Sequence, residues 1–205
     1  MLRDGINGAV RRVPVWLIWL ILGAPSVWYF YLGLTGGLGA EPIKALERAL
    51  GEVALQLLVA GLCVTPLRRY AGINLLRFRR AIGLLTFSYV ALHLLVWLVL
   101  DVGIVAQIWA DILKRPYVTV GFVAFLLMIP LAITSNNLSL RRLGPLRWRR
   151  LHMLTYVVAV LGAVHFIWLA KGFQVEPLIY LGMILMLLAL RVRLPQRFRR
   201  VRVGS

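Results

Sequence analysis

The chain carries little that could do chemistry in water: one cysteine, seven acidic residues and three histidines among 205. Cys63 lies inside an apolar segment with no second thiol to pair with, which excludes a disulfide framework and a thiolate metal site. The acidic residues are expected in loops or at the ends of apolar runs, so no two carboxylates share a helix face at depth for general acid and base work. No serine or cysteine has a histidine at a recognisable nucleophile spacing. No stretch reads as strand, glycine-rich turn and helix, and no connecting segment exceeds 16 residues, which leaves no room for a dinucleotide-binding domain. With only histidines as ionisable groups inside the apolar runs, coupled ion or proton transport is also poorly supported.

What the chain has in abundance is apolar surface and positive charge. It is 61% hydrophobic with a mean hydropathy of +0.84, more than a water-soluble domain of this length could bury. The expected class is an all-α integral membrane protein with the lipid bilayer as its surroundings. The formal charge of +17 does not argue for a nucleic-acid partner, because the basic residues form short clusters between apolar runs and never line one amphipathic face.

A hydrocarbon core about 30 Å thick takes roughly 20 helical residues to cross. Six runs are read as spans, near 13–32, 49–66, 81–100, 117–134, 151–170 and 177–190. None has the period-2 alternation of a barrel strand, and the first is too long for a cleaved signal peptide and lacks a small-residue cleavage site. GLTGGLGAEP, residues 33–42, follows a membrane helix rather than a strand and reads as a turn. Alternate connecting segments hold 19 of the 24 basic residues and the others hold 5. By the positive-inside rule the richer set is cytoplasmic, with both termini on that side. Helices 3 and 5 then run outward, and the arginines from Arg191 to Arg202 stay inside only if the short sixth helix spans.

All three histidines fall in the third and fifth spans. At about 1.5 Å rise per residue, His93 and His165 stand roughly 18 and 21 Å from the cytoplasmic ends of their helices, nearly level. Two facing imidazoles at one depth, among Phe, Tyr, Trp and Leu, suit the two axial positions of a haem. A zinc site would want four ligands, and neither cysteine nor carboxylate is available at that level. His152 lies thirteen residues before His165, and the matching positions near the start of the third span are Arg79 and Arg80, which cannot ligate iron. One bis-histidine haem in the outer half is therefore expected. His152 is left for a second haem, a quinol head group or a flavin near the cytoplasmic face, where Arg77, Arg79, Arg80, Arg147, Arg149 and Arg150 could hold a phosphate or carboxylates.

Ordered pieces of the chain carry a family resemblance: GGLGAEP, VTPLRRY, FRRAIGLLTFSYVALHLLVW with His93, LKRPYVTVGFVAF, LRWRRLHMLTYVVAVLGAVHFIW with His152 and His165, and EPLIYLGMILMLLALR. Together they resemble the MsrQ (formerly YedZ) family over nearly the whole chain. These are haem-binding membrane subunits of the bacterial periplasmic methionine sulfoxide reductase system MsrPQ, similar to the transmembrane domain of ferric reductases and NADPH oxidases. The resemblance implies a single ferric reductase-like transmembrane domain over residues 1–205, in the bacterial inner membrane, binding haem b and FMN. It implies an electron conduit from the quinone pool to MsrP, a periplasmic molybdopterin enzyme that itself reduces methionine sulfoxide in oxidised proteins. His93, His152 and His165 match the family's histidines. The alternative reading is a ferric reductase-like transmembrane cytochrome b fed by a cytosolic flavin reductase, and a third is a cofactor-free scaffold or transporter.

Overall fold

The computed structural model describes residues 2–170 and 174–191 and, within them, is helical without a strand. In chain order the α-helices are α1 (Leu2–Arg12), α2 (Val15–Leu34), α3 (Pro42–Pro66), α4 (Arg79–Leu95), α5 (Val105–Lys114), α6 (Pro116–Ile133), α7 (Asn137–His152), α8 (Leu154–Leu169) and α9 (Val175–Ala189). Among the described residues, five helical stretches are long and apolar enough to cross a bilayer: Val15–Leu34, Pro42–Ala71, Leu76–Val102, Pro116–Ile133 and Asn137–Leu169. The sixth apolar helix, α9, has 15 residues, short of the roughly 20 that a hydrocarbon core takes. The arginines expected after Arg191, and Lys171 in the loop before α9, lie outside the described residues.

Three connecting segments expected as loops fold as the helices α1, α5 and α7. For α1 and α5 the reason is amphipathicity at a 3.6-residue period, which leaves no long apolar run. Helix α7 is polar, is capped by Asn136, whose side chain accepts from Ser139 N–H, and is kinked at Gly144, where φ is 73°. On α5, Ile108, Asp111 and Ile112 turn inward while Val105, Trp109 and Leu113 stay exposed. The buried Asp111 pairs with Arg115 Nε at 3.2 Å. The second span also starts earlier than expected, at Pro42 rather than near 49, because proline at the first helical position is already set for helix. Glu47 consequently lies within α3 rather than in the loop before it. The preceding turn is as glycine-dependent as its sequence implies, with Gly36 and Gly39 at φ of 78° and 84°.

Helix α3 is the hub. One face of it (Leu46, Leu50, Ala54, Leu57) packs with Leu85, Tyr89 and Val96 of the third span. Another (Leu55, Val59, Leu62) packs with Ala159 and Ala163 of α8 and Ile184 and Leu187 of α9. Ala159 and Ala163 are fully buried, and their small side chains at i, i+4 let the backbones approach closely, which is how membrane helices gain contact where lipid offers no hydrophobic drive. The widest helix contacts are α3 on α4 and α6 on α8.

Helix α2 buries no residue fully; Leu22, Tyr29 and Phe30 pack against the core between α3 and α4, and Tyr89 adds hydrogen bonds to its backbone. The Tyr89 hydroxyl donates to Leu22 O at 2.8 Å and accepts from Ser26 N–H at 3.0 Å. It thereby occupies the i to i−4 hydrogen bond that residues 22 and 26 would otherwise make. Pro25, inside α2, loosens that turn because it has no N–H to give and its ring clashes with the turn before it.

Candidate functional site

The first half of the site lies between α3 and α4. His93, near the end of α4, donates its Nδ1–H to the backbone carbonyl of Glu47, near the start of α3, at 2.8 Å. The second half repeats the arrangement between α6 and α8, where His165 donates Nδ1–H to the carbonyl of Tyr117 at 2.7 Å. In an α-helix these carbonyls already accept the N–H four residues on, and in both cases that residue is a glycine, Gly51 or Gly121. The imidazoles lie directly over them. A Cβ on Gly51 would come 3.1 Å from His93 Nδ1, and one on Gly121 would come 2.8 Å from His165 Nδ1.

The two rings meet. Their centroids are 6.2 Å apart and their planes cross at 79°. With each Nδ1 committed to a carbonyl, each Nε2 is the nitrogen left for a ligand, and no hydrogen bond engages it among the described residues. The sequence reading brought these two histidines to one level, and the structure brings them together. Nothing in it anticipated Gly51 and Gly121. The only signal was a glycine inside an apolar helix, which is common in membrane proteins and has many uses.

At the other end of the bundle the late turns of α3 and α6 and the first turns of α4 and α8 enclose a second space. This cavity of about 270 Å³ is walled by Phe87, Met128 and Trp148, and its polar lining includes Arg79, Arg80, Ser135, His152, Thr155 and Arg191. His152 is held there on one face and at one edge. Its ring stacks on Trp148 with centroids 3.8 Å apart, and its Nε2 lies 3.1 Å from Thr134 Oγ1. That hydroxyl donates to Pro130 O at 2.6 Å, so it accepts from His152 Nε2–H. Trp148 Nε1 donates to Thr134 O at 2.8 Å, which locks ring and helix turn together.

Of the six arginines singled out for an anionic group, Arg79 and Arg80 line the cavity, and Arg80 also donates to Asn137 Oδ1 at 2.8 Å. Arg77 instead closes the end of α1, donating to Val10 O at 3.1 Å and Arg11 O at 2.6 Å. Arg147, Arg149 and Arg150 are exposed on α7 and are not among the lining residues. The cavity takes its third arginine from elsewhere. Arg191 donates to Leu62 O and to the Tyr156 hydroxyl, while its buried Nε has no hydrogen-bond partner among the described residues. Sequence reasoning counted Arg191 only with the tail's topogenic charge, since a residue just past a membrane helix gives no sign of folding back.

Residues 49–163 match the family described as ferric reductase like transmembrane component. A protein-methionine-sulfoxide reductase heme-binding subunit MsrQ from Brucella anthropi is 46% identical over 182 residues, covering 88% of this chain and 82% of the relative. Its namesake from Agrobacterium fabrum is 46% identical over 186 residues, covering 90% and 86%. The Brucella ovis namesake is 46% identical over 188 residues, covering 90% and 85%. The chain belongs to the MsrQ family. Its apolar helices and the transmembrane character of the matched component make it an integral membrane protein. The ferric reductase-like stretch contains His93, Gly51, Gly121 and His152 and stops two residues before His165, which falls within the longer likeness to MsrQ. No solved structure matches the chain.

Proposed function

We propose that the chain is a haem-binding electron-transfer subunit in which His93 and His165 are the axial pair. The observation that carries this reading is the meeting of the two imidazoles with centroids 6.2 Å apart. A histidine nitrogen binds a first-row metal at about 2.0–2.1 Å, so one ion between two such nitrogens sets the ring centroids roughly 6 Å apart. Among the described residues no group of three or more His, Cys, Asp or Glu side chains could hold a bare ion. A metal here would take its remaining ligands from outside the chain, as a porphyrin supplies them. When bound, haem supplies one-electron redox chemistry, with a potential tuned by its axial ligands and burial. The chain's own part is to fix the tautomer of each imidazole and to keep the site apolar.

The relatives' names, heme-binding subunit of a protein-methionine-sulfoxide reductase, favour a partnership with the catalytic subunit MsrP. On this reading the chain takes electrons from the quinone pool of the bacterial inner membrane and delivers them to MsrP on the periplasmic side, and MsrP performs the sulfoxide reduction. The charge distribution supports a six-span topology with the arginine-rich end and both termini in the cytoplasm and residues 1–205 as one transmembrane domain. His152, Arg79, Arg80 and Arg191 then face the cavity at the cytoplasmic end, where electrons arrive. A quinol head group, the flavin of FMN or a second haem would each meet an aromatic wall and cationic donors there. The ferric reductase-like match favours a second reading, a transmembrane cytochrome b fed by a cytosolic flavin reductase.

The absorption spectrum of protein purified from haem-replete cells tests the first claim. A Soret band that sharpens and shifts with dithionite is expected, and a colourless preparation overturns the reading. Co-purification with a molybdoenzyme favours the MsrP partnership, and reduction by a flavin reductase without quinol favours the second reading.

A further inference from the structure

The two halves of the histidine site share a device that the axial-ligand reading does not include. On α3 the carbonyl of Glu47 and the missing side chain of Gly51 form a notch that receives the His93 ring. On α6 the carbonyl of Tyr117 and Gly121 do the same for His165. Carbonyl and glycine are four residues apart in both, one above the other on the same helix face. We infer that Gly51 and Gly121 are positioning residues, whose bare backbone lets each imidazole bond a helix carbonyl through Nδ1 and thereby sets the crossed orientation of the two rings. This inference rests on the haem reading above.

The physical argument has two parts. A hydrogen bond from Nδ1–H to a carbonyl fixes the tautomer, presents Nε2 as the donor atom and raises its basicity, so it bears on the potential of a bound metal as well as on affinity. The carbonyl is already the acceptor of a helical N–H, so the imidazole reaches its second lone pair only from close above the helix surface. Any side chain four residues on would stand in that path. The contacts grade the effect: an added Cβ would come within 3.1 and 3.3 Å of two ring atoms of His93 but within 2.8 and 2.9 Å of the same atoms of His165. The first can be relieved by a slight shift of the ring. The second cannot be met without tilting the ring or breaking its bond to Tyr117 O. Gly162, one turn before His165 on the same α8, supplies the control, because its Cβ would meet only Leu55 Cδ1, at an ordinary 3.9 Å.

The test compares Gly51→Ala, Gly121→Ala and Gly162→Ala in the full-length protein purified with its haem. The readouts are haem per chain, midpoint potential and the low-temperature electron paramagnetic resonance of the ferric state. Crossed imidazole planes give a strongly anisotropic low-spin signal, and rings turned toward parallel give a rhombic one. Gly162→Ala is expected to match the unaltered protein. Gly51→Ala is expected to keep its haem with a shifted signal and potential, and Gly121→Ala to shift further or lose low-spin haem. If Gly121→Ala fails to insert, Gly51→Ala alone still decides. Unchanged signal and potential in Gly51→Ala, or an equal change in Gly162→Ala, overturns the inference. Absence of haem from the unaltered protein overturns the underlying reading instead.

Discussion

The imidazoles of His93 and His165 cross at 79° with their centroids 6.2 Å apart, although the two residues are 72 positions apart in the chain and belong to different helix pairs. Each ring is oriented by a neighbouring helix and not by its own: α3 holds the ring of α4, and α6 holds the ring of α8. A change in either supporting helix therefore reaches the site without touching either histidine.

Replacing His93 or His165 by alanine removes one of the two proposed axial ligands from an apolar site where water is a poor substitute. Both variants are expected to lose haem or turn high-spin in the absorption spectrum, with membrane insertion matched by immunoblot. His152→Ala should keep most of the six-coordinate signal, because its ring is engaged by Thr134 and Trp148 rather than by the axial pair. A full low-spin spectrum in His93→Ala or His165→Ala would refute the assignment.

Arg79 and Arg191 bring cationic donors to the cavity beside His152. A charge-assisted hydrogen bond to a bound anion or quinone oxygen is worth about 1.5–3 kcal/mol, which is roughly tenfold or more in binding. If quinol is the occupant, as proposed, Arg79→Gln is therefore expected to slow reduction by a quinol analogue about tenfold. The dithionite-reduced spectrum should not change, since the arginine lies at the opposite end of α4 from His93. Stopped-flow reduction at several quinol concentrations checks both.

Tyr89→Phe removes the hydroxyl that bridges Leu22 O and Ser26 N–H. Leaving those groups unpaired in a buried seam costs about 1–3 kcal/mol, less whatever the turn regains by closing its own bond. The variant should show a lower thermal midpoint in detergent and easier proteolysis of α2, with an unaltered ligand-field spectrum.

Reporter fusions test the orientation. Insertions within residues 67–80 and after Ser205 should report cytoplasm, and those within 101–116 should report periplasm. A periplasmic C-terminus would remove α9 from the list of spans.

Much of this arrangement was legible in the sequence, for identifiable reasons. Runs of about 20 apolar residues mark spans because lipid imposes a length, and the fixed helical rise brought His93 and His165 to one level before any neighbour was known. Amphipathic α1 and α5 were not legible by that criterion, since their apolar positions are interleaved with polar ones, and α7 is too polar to register by it at all. Gly51 and Gly121 were hidden for a different reason. Their role is defined by a ring from another helix, 42 and 44 positions further along the chain, and nothing in the local sequence separates a notch from ordinary close packing. Arg77 illustrates the converse case, a residue grouped with Arg79 and Arg80 by proximity in sequence whose side chain bonds the end of α1 instead.

The two ends of α4 also have an electrical consequence. Arg79, at the cavity, and His93 are fourteen residues apart, roughly 21 Å along the helix and about two-thirds of a hydrocarbon core. With the arginine end inside, an electron carried from the cavity toward the histidine end moves away from the negative face of an energised membrane. One charge crossing the whole membrane is worth about 2.3 kcal/mol per 100 mV, so this fraction gains roughly 1.5. On the proposed route from quinol to a periplasmic partner, delivery to the outer face would then be driven in part by the respiratory potential itself, and an uncoupler would slow it even with the quinone pool fully reduced.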